Sequence, residues 1–370
     1  MRVAFALALG LGALVALEGT VRVLGRHVRS VHLPRSSDPK VYEYDATKGW
    51  FHVPGSSGQS FLGGPDPGWV RINSLGLRGG EVSHLPGQRR VLVFGDSFGF
   101  GVGVDEEHLV STQLQALLDA SSAERFEVVN MSVSGYSTDQ ELILMRELGL
   151  GLRPEAVILL LCDNDFVGNV EDFSYQRYYK PYFVLDPGGQ LRLENSPVPR
   201  LETSRQAKLW LAEHSNLWNL LRTRHSDDTQ VQAFLDWFQV RRPRSAPERA
   251  QVRVTLALIQ AFHDLAASVG SSFVVMNTGH RGETRSPFLA LRPQLTRAGI
   301  AWLAFEPLLE AARRREPRGD WDFPGNAHWN RDAHRLAAHV LDSWLEAGGL
   351  PRPAMRLAYA DLKERRRAPW

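Results

Sequence analysis

The chain is poor in the residues on which disulfide and metal chemistry depend. Its 370 residues include one cysteine, Cys162, so no disulfide can form within the chain. Cys162 falls at the end of an apolar run, which predicts a buried and unreactive thiol. His328, His334 and His339 lack the spacing with carboxylates that a zinc site requires. We therefore expect no metal in this protein.

Other absences argue against nucleotides and nucleic acids. The sequence contains no phosphate-loop motif. The glycine-rich stretch 95–103 does not match the dinucleotide-binding fingerprint, because Val104 and Glu106 stand where its third glycine is required. The formal net charge of +2 indicates neither a nucleic acid nor a strongly acidic partner. We expect no cofactor and no nucleic acid.

The amino terminus carries a long run without charge. Val3–Leu17 contains fifteen uncharged residues, and extension to Leu24 gives a length that suits a membrane span. Glu18 and Arg22 are spaced one helical turn apart and are placed to pair. We predict that residues 1–29 are an uncleaved signal anchor, with a cleaved signal peptide as the alternative, and that the remainder is extracytoplasmic. The arginines after the segment oppose this orientation.

The rest of the chain divides by composition. Residues 30–70 are rich in Pro, Gly and Ser, which predicts a stalk or an irregular arm. Residues 71–350 contain apolar strands that alternate with helices, and 351–370 form a tail. Continuous apolar strands separated by helices are typical of a parallel sheet covered on both faces. The five predicted strands are Val91–Phe94, Phe126–Asn130, Ala156–Leu161, Ser272–Met276 and Ala301–Phe305.

Residues 170–245 interrupt this alternation between the third and fourth strands. They include a predicted β-hairpin, in which Pro181–Leu185 and Gln190–Leu193 flank the turn Asp186–Gly189. An insertion at the carboxyl edge of a sheet can be a lid over a site. A structural excursion with a small core of its own is the alternative, and the residues favour neither.

Residues suited to acyl transfer follow the predicted strands. Ser97 comes directly after the first strand, at the edge where an α/β sheet places its chemistry. Gly135 precedes a helix that the capping box Thr138–Glu141 predicts, so its N–H can point at an anion. Asn164 follows the third strand, and His328 precedes the last helix. Acyl transfer by serine requires a nucleophile, an imidazole base and donors to the oxyanion.

These elements, in this order, resemble the four sequence blocks of the SGNH (GDSL) hydrolase family. The similar residues are Gly95-Asp-Ser97, Ser134-Gly135-Tyr136, Asn164-Asp165 and His328. The lead-in Asn73-Ser-Leu-Gly-Leu-Arg78-Gly79 and the apolar amino terminus look like the branch of this family that carries a membrane segment. The resemblance covers roughly residues 70–347.

The resemblance implies a fold and a mechanism. The fold is a three-layer αβα, flavodoxin-like arrangement, and the chemistry acts on esters without a metal or an organic cofactor. Ser97 would attack the ester carbonyl and His328 would remove the serine proton. The N–H groups of Ser97 and Gly135 and the side chain of Asn164 would hold the oxyanion.

The sequence departs from the family pattern in two places. The third block usually begins with glycine, and Cys162 occupies that position. The family usually carries an aspartate two or three residues before the histidine, where this chain has Asn326 and Gly325. Asp322 is the nearest upstream acid and is the candidate third catalytic residue. A Ser97–His328 dyad is the alternative.

The sequence favours a serine esterase-type hydrolase that cleaves a carboxylic ester, such as an O-acyl group of an envelope glycan or a lipid. One alternative is an O-acetyltransferase that uses the same serine. A second is a binding or assembly protein that retains the fold with weakened catalysis. The missing aspartate favours this second alternative, and the complete set of Ser97, Gly135, Asn164 and His328 opposes it. The expected partners are the ester substrate and the membrane.

Overall fold

The computed structural model describes residues 2–27, 41–60, 68–122 except 84 and 86, 124–174, 178–204, single positions between 207 and 218, 249–279, 287–315, 321–323 and 328–349. The chain forms two compact units. One unit comprises Met1–Ser37 and Leu201–Phe238, and the other comprises Asp38–Arg200 and Gln239–Trp370.

Strands and helices are numbered in chain order over the described residues. The strands are β1 Tyr42–Asp45, β2 Gly49–His52, β3 Ser57–Ser60, β4 Gly68–Arg71, β5 Arg89–Gly95, β6 Phe126–Asn130, β7 Ala156–Leu161, β8 Tyr182–Leu185, β9 Leu191–Glu194, β10 Ser272–Asn277 and β11 Ala301–Leu303. The helices are α1 Arg2–His27, α2 Ser97–Phe100, α3 Val110–Ser121, α4 Thr138–Glu147, α5 Asp165–Gly168, α6 Arg249–Ala267, α7 Phe288–Arg297, α8 Glu306–Arg315 and α9 Arg331–Trp344.

Five parallel strands form the central sheet in the order β11-β10-β7-β5-β6, which confirms the predicted five-stranded parallel sheet. The residues of β7 are all buried and alternate between two apolar layers. Val157 and Leu159 pack in the layer that α4, α6 and α7 cover, and Ile158 and Leu160 pack in the layer of α3 and α9. Helices thus cover both faces of the sheet.

Strand β11 is shorter than the sequence predicts, because it ends at Leu303 rather than at Phe305. The backbone N–H of Phe305 donates to the side-chain Oδ1 of Asn277 at 2.7 Å and is therefore satisfied outside the sheet. The aromatic side chain of Phe305 is fully buried, which accounts for the apolar signal at this position.

The amino-terminal segment forms helix α1, in the unit that also contains residues 201–238. The predicted pair is present, with Arg22 Nε 2.7 Å from Glu18 Oε1. Glu18 also accepts hydrogen bonds from the Ser215 hydroxyl at 2.8 Å and the Leu217 N–H at 2.9 Å. Within the described residues, no helix combines the length and the apolar character needed to cross a membrane. The signal anchor and the extracytoplasmic location stay predictions.

Part of the predicted stalk is ordered structure in the unit that contains the sheet. Strands β1 and β2 form one antiparallel hairpin, and β3 and β4 form a second pair. Trp50 of β2 is fully buried, and its indole N–H donates to the carbonyl of Ser134 at 3.3 Å. One of the Pro- and Gly-containing segments that predict an irregular arm is the tight turn between β2 and β3, where the Ser56 N–H donates to the Val53 carbonyl at 3.1 Å. Residues 30–40 and 61–67 lie outside the described residues.

The predicted insertion spans both compact units. Its β-hairpin is confirmed as β8 and β9, which pair antiparallel with Val184 opposite Arg192. Residues 201–238 group instead with the amino-terminal helix, and most of them lie outside the described residues. The lid function stays a prediction, and the tail 351–370 is also outside the described part.

Candidate active site

The proposed nucleophile lies at a sharp strand-to-helix transition. Strand β5 ends at Gly95, and the Asp96 carboxylate caps helix α2 by accepting a hydrogen bond from the Phe98 N–H at 2.9 Å. Ser97 is the first residue of this four-residue helix and is buried. A Cβ atom at Gly99 would lie 2.3 Å from the Ser132 hydroxyl, so only glycine fits beside the neighbouring loop.

The structure brings His328 to Ser97 across 231 residues of sequence. The distance from His328 Nε2 to Ser97 Oγ is 2.7 Å, a normal hydrogen-bond length. His328 lies on a short segment that pairs with residues 321–323, since the Phe323 N–H donates to the His328 carbonyl at 3.1 Å. Asn330 caps helix α9 by accepting from the Asp332 N–H at 2.9 Å.

Burial lowers the pKa of His328 to about 4. The imidazole is therefore neutral at pH 7, which is the state that a general base requires. If Nε2 accepts the serine proton, the resting proton of the ring is on Nδ1.

The loop after β6 runs beside the nucleophile. The N–H of Met131 donates to the Val93 carbonyl at 2.8 Å, and the N–H of Val133 donates to the Gly95 carbonyl at 3.0 Å. Gly135 follows with a φ of 82°, a conformation that favours glycine. Within the described residues, the N–H groups of Ser97 and Gly135 donate to no protein acceptor. The nucleophile helix and this loop thus each carry one N–H without an acceptor in the described part of the chain.

Asn164 joins the same site through Asp96. The amide Nδ2 of Asn164 donates to the second oxygen of the Asp96 carboxylate at 3.2 Å. The Asp96 carboxylate thus bonds both the backbone of Phe98, directly after the nucleophile, and the side chain of the predicted oxyanion donor Asn164. Burial raises the pKa of Asp96 to about 6, and the hydrogen bonds from Phe98 and Asn164 oppose that rise.

Asp322 lies on the segment that pairs with His328, opposite Trp329. Its carboxylate is bound by the guanidinium of Arg313, with Nη2 2.7 Å from Oδ2. A third catalytic role for Asp322 stays a prediction. Gly325 and Asn326 lie outside the described residues.

Sequence reasoning assigned no function to Arg78, the arginine of the lead-in motif. Its buried guanidinium donates to the backbone carbonyls of Phe100, Gly101, Val104 and Trp69, at 2.6 Å for Gly101 and 3.1 Å for Trp69. The Gly101 N–H in turn donates to the Ser97 carbonyl at 3.0 Å. Arg78 therefore holds the turn that ends the nucleophile helix. No sequence pattern shows that an arginine binds carbonyls more than twenty residues away.

A group of buried acids under the site was also missed. The predicted capping box is wrong, because the hydroxyl of Thr138 donates to the Asp165 carboxylate at 3.4 Å and Glu141 is buried instead of returning to the helix start. Burial, together with the charges of Asp165 and Asp96, raises the pKa of Glu141 well above its ordinary value. The N–H of Cys162 donates to Asp165 at 3.1 Å.

Two further features of this region concern Cys162 and Lys180. Cys162 is half-buried rather than fully buried as predicted, and desolvation raises the pKa of its thiol well above the ordinary value. Lys180, from the segment before β8, forms a buried ion pair with Asp139 and donates to the Gly168 carbonyl at 2.6 Å. These two contacts link the insertion to helices α4 and α5, which follow Gly135 and Asn164.

Comparison with solved structures finds several esterases and lipases. A protein described as lipolytic and of the G-D-S-L family from Desulfitobacterium hafniense is 12% identical, with a TM-score of 0.41 over 69% of this chain and 98% of that chain. The psychrotrophic esterase EstA from Pseudoalteromonas is 12% identical, with a TM-score of 0.39 over 70% and 97%. A two-domain esterase active on acetylated mannans, co-crystallised with mannopentaose, is 10% identical, with a TM-score of 0.40 over 73% and 53%.

No curated protein matches the sequence. The family model gives the assignment. The model of the GDSL-like Lipase/Acylhydrolase family matches residues 93–336, about two thirds of the chain, and this range contains every predicted site residue. The chain therefore belongs to the GDSL-like lipase/acylhydrolase family.

Proposed function

We propose that this protein is a serine hydrolase of carboxylic esters, with Ser97 as the nucleophile and His328 as its general base. The observation that carries the proposal is the 2.7 Å contact between Ser97 Oγ and His328 Nε2. The contact lies at the carboxyl ends of the parallel strands, where this fold class usually binds its ligands. Family membership supports the hydrolysis of ester bonds.

The proposed reaction proceeds through an acyl-enzyme. Ser97 Oγ attacks the ester carbonyl carbon while His328 Nε2 takes the hydroxyl proton. The tetrahedral intermediate then expels the alcohol, which receives that proton from the imidazolium. A water molecule attacks the acyl-serine in the same way and releases the carboxylic acid. Ser97 is regenerated when His328 returns the proton to its oxygen.

Three donors would stabilise the oxyanion. These are the N–H groups of Ser97 and Gly135 and the side-chain amide of Asn164. Loss of one such donor typically lowers kcat about 100- to 1,000-fold. Asp322 is proposed as the third member of the site. In that role its carboxylate would bind His328 as well as Arg313, with which it forms an ion pair.

A fluorophosphonate probe tests the nucleophile. The folded protein should be labelled near neutral pH, and Ser97→Ala should abolish labelling. Ser343→Ala, a control at an exposed serine of α9, should be labelled like the wild type. Folded wild-type protein that is not labelled would contradict the proposal and favour the binding or assembly alternative. Strong acceleration of acyl-nitrophenyl turnover by a sugar acceptor would instead favour the O-acetyltransferase.

The substrate class and the location are parts of the same proposal. We propose an O-acyl group of an envelope glycan or a lipid ester as the substrate, with residues 1–29 as the membrane tether. The uncharged run Val3–Leu17 and exposed apolar side chains of α1 such as Phe5 and Leu11 support the tether. Recovery of the protein in the membrane fraction after high-salt washing would support it, and full recovery in the soluble fraction would contradict it.

A further inference from the structure

The ring of Phe98 lies against the ring of His328. The two ring centroids are 4.9 Å apart and the ring planes differ by 25°, which is a stacked arrangement. Phe98 directly follows the nucleophile, and its N–H is bound to the Asp96 carboxylate at 2.9 Å. The hydrogen bond that caps the nucleophile helix therefore also fixes the backbone position from which the Phe98 side chain extends.

A second aromatic contact holds the Phe98 ring from the side. The indole of Trp329 meets it edge to face, with centroids 5.3 Å apart and planes at 75°. Trp329 is itself fixed, because its indole N–H donates to the Thr278 carbonyl at 2.9 Å and its ring packs on Phe305 with centroids 4.9 Å apart. The Phe98 ring thus has little freedom to move away from the His328 ring, although the Phe98 side chain is only half-buried.

The stacked arrangement of Phe98 and His328 favours the imidazolium form of His328 over the neutral form. The face of an aromatic ring carries negative potential, so it attracts a cation more strongly than a neutral ring. His328 is neutral at rest and becomes an imidazolium when it takes the Ser97 proton. A contact that strengthens as this charge develops lowers the barrier rather than only improving ground-state binding.

We propose that Phe98 is a positioning residue for His328 and that its aromatic face stabilises the imidazolium formed during acyl transfer. The proposal rests on the hydrolase function proposed above. It assigns to a ring part of the task that an aspartate before the histidine performs in the family pattern, at positions where this chain has Gly325 and Asn326.

Other titratable groups near His328 limit the design of the test. On α9, the pKa of His334 is lowered by burial and by the charge of Arg78 to about 3, so that ring is neutral at pH 7. On the paired segment, Asp322 is bound to Arg313, and Asp96 lies next to Ser97. A change that keeps the shape of Phe98 leaves all these groups in place, whereas truncation would also admit water.

Fluorination of the Phe98 ring changes its electrostatic potential without changing its shape. Phenylalanines with one, three and five ring fluorines keep the shape of the ring while they weaken and then reverse the negative potential of its face. We expect kcat/KM to fall stepwise by about 2- to 30-fold in total, the range of cation–π energies expressed as a rate. KM should change little. The same series at Phe273, which stacks on Phe262 and not on His328, is the matched control and should leave kcat/KM unchanged.

An NMR titration gives a readout that is independent of catalysis. With labelled histidine, the His328 signal among the 12 histidines is assigned by its loss in His328→Gln. The pKa of His328 should fall in the order of fluorination. If kcat/KM and this pKa stay constant through the series while Ser97-dependent labelling is normal, the inference is overturned and the hydrolase function stands. If no Ser97-dependent activity exists, the hydrolase proposal fails, and the titration alone supports or overturns the charge-stabilising stack.

Discussion

Acidic pH should distinguish His328 from an ordinary histidine. Burial lowers its pKa to about 4 from the ordinary 6.5. At pH 5, a group with a pKa of 4 is about 90% neutral, whereas one with a pKa of 6.5 is about 3% neutral. We therefore expect kcat/KM at pH 5 to stay within about a factor of two of its value at pH 7. An unperturbed base would lose about 25-fold over the same interval.

The assay is the pH dependence of kcat/KM for an acyl-nitrophenyl ester, followed where nitrophenol absorbs equally in both protonation states. Asp96→Asn is measured in parallel, since the pKa of Asp96, which burial raises to about 6, could add an inflection of its own. Only the shape of its profile is compared, because this variant will also change the rate. An acid limb centred near pH 6.5 in both proteins would refute the assignment of a buried, neutral base.

Folding has to be monitored over the same interval. Burial also lowers the pKa values of His52 and His334, to about 4 and about 3. Between these values and 6.5 the unfolded chain binds protons that the folded chain does not, so these histidines reduce stability as the pH falls. Near-UV circular dichroism at each pH separates a loss of folded protein from protonation of the base.

Three substitutions test the surroundings of the site. Lys180→Met should lower the unfolding free energy by about 3–5 kcal/mol in denaturant unfolding, because the Asp139 charge stays buried without its partner. The double variant with Asp139→Asn should recover part of this loss. Equal stability of the single and double variants would contradict the prediction. Arg78→Lys should lower both the unfolding free energy and kcat, since an ammonium cannot bond the four carbonyls that surround the planar guanidinium. Wild-type kinetics in this variant would show that the turn after the nucleophile helix does not need Arg78. Glu141→Gln should raise the melting temperature at pH 8, where the folded chain keeps this carboxyl protonated although it ionises in the unfolded chain. This increase in melting temperature should shrink towards pH 4. An increase that is the same at both pH values would refute the raised pKa of Glu141.

The sheet could be predicted from the sequence because its strands carry strong local signals. β7 is apolar at every position, and such a run, bounded by helices, indicates a strand buried on both faces. The hairpin β8–β9 was marked by the Asp-Pro-Gly-Gly turn between two short strands. Ser97 and His328 were identified because each follows or precedes a recognisable element and each resembles a block of the family. Their contact itself depends on topology and is not visible in local sequence.

The parts that escaped prediction depend on long-range contacts. Trp50 is buried against the rings of Tyr136 and Tyr178 and donates to the Ser134 carbonyl, 84 residues away, and no local pattern shows these contacts. Glu141 has the spacing of a capping box, yet it is buried among charged groups from other parts of the chain, including Asp165 and Asp96. Propensity describes the helix in isolation, and tertiary packing decides which polar groups it buries.

The most direct test of the central claim is peptide mapping by mass spectrometry after the folded protein has reacted with a fluorophosphonate near neutral pH. We predict one phosphonylated residue, Ser97, at close to one adduct per chain, and greatly slowed modification in His328→Gln. An adduct on a different serine, or none on protein that is demonstrably folded, would contradict it.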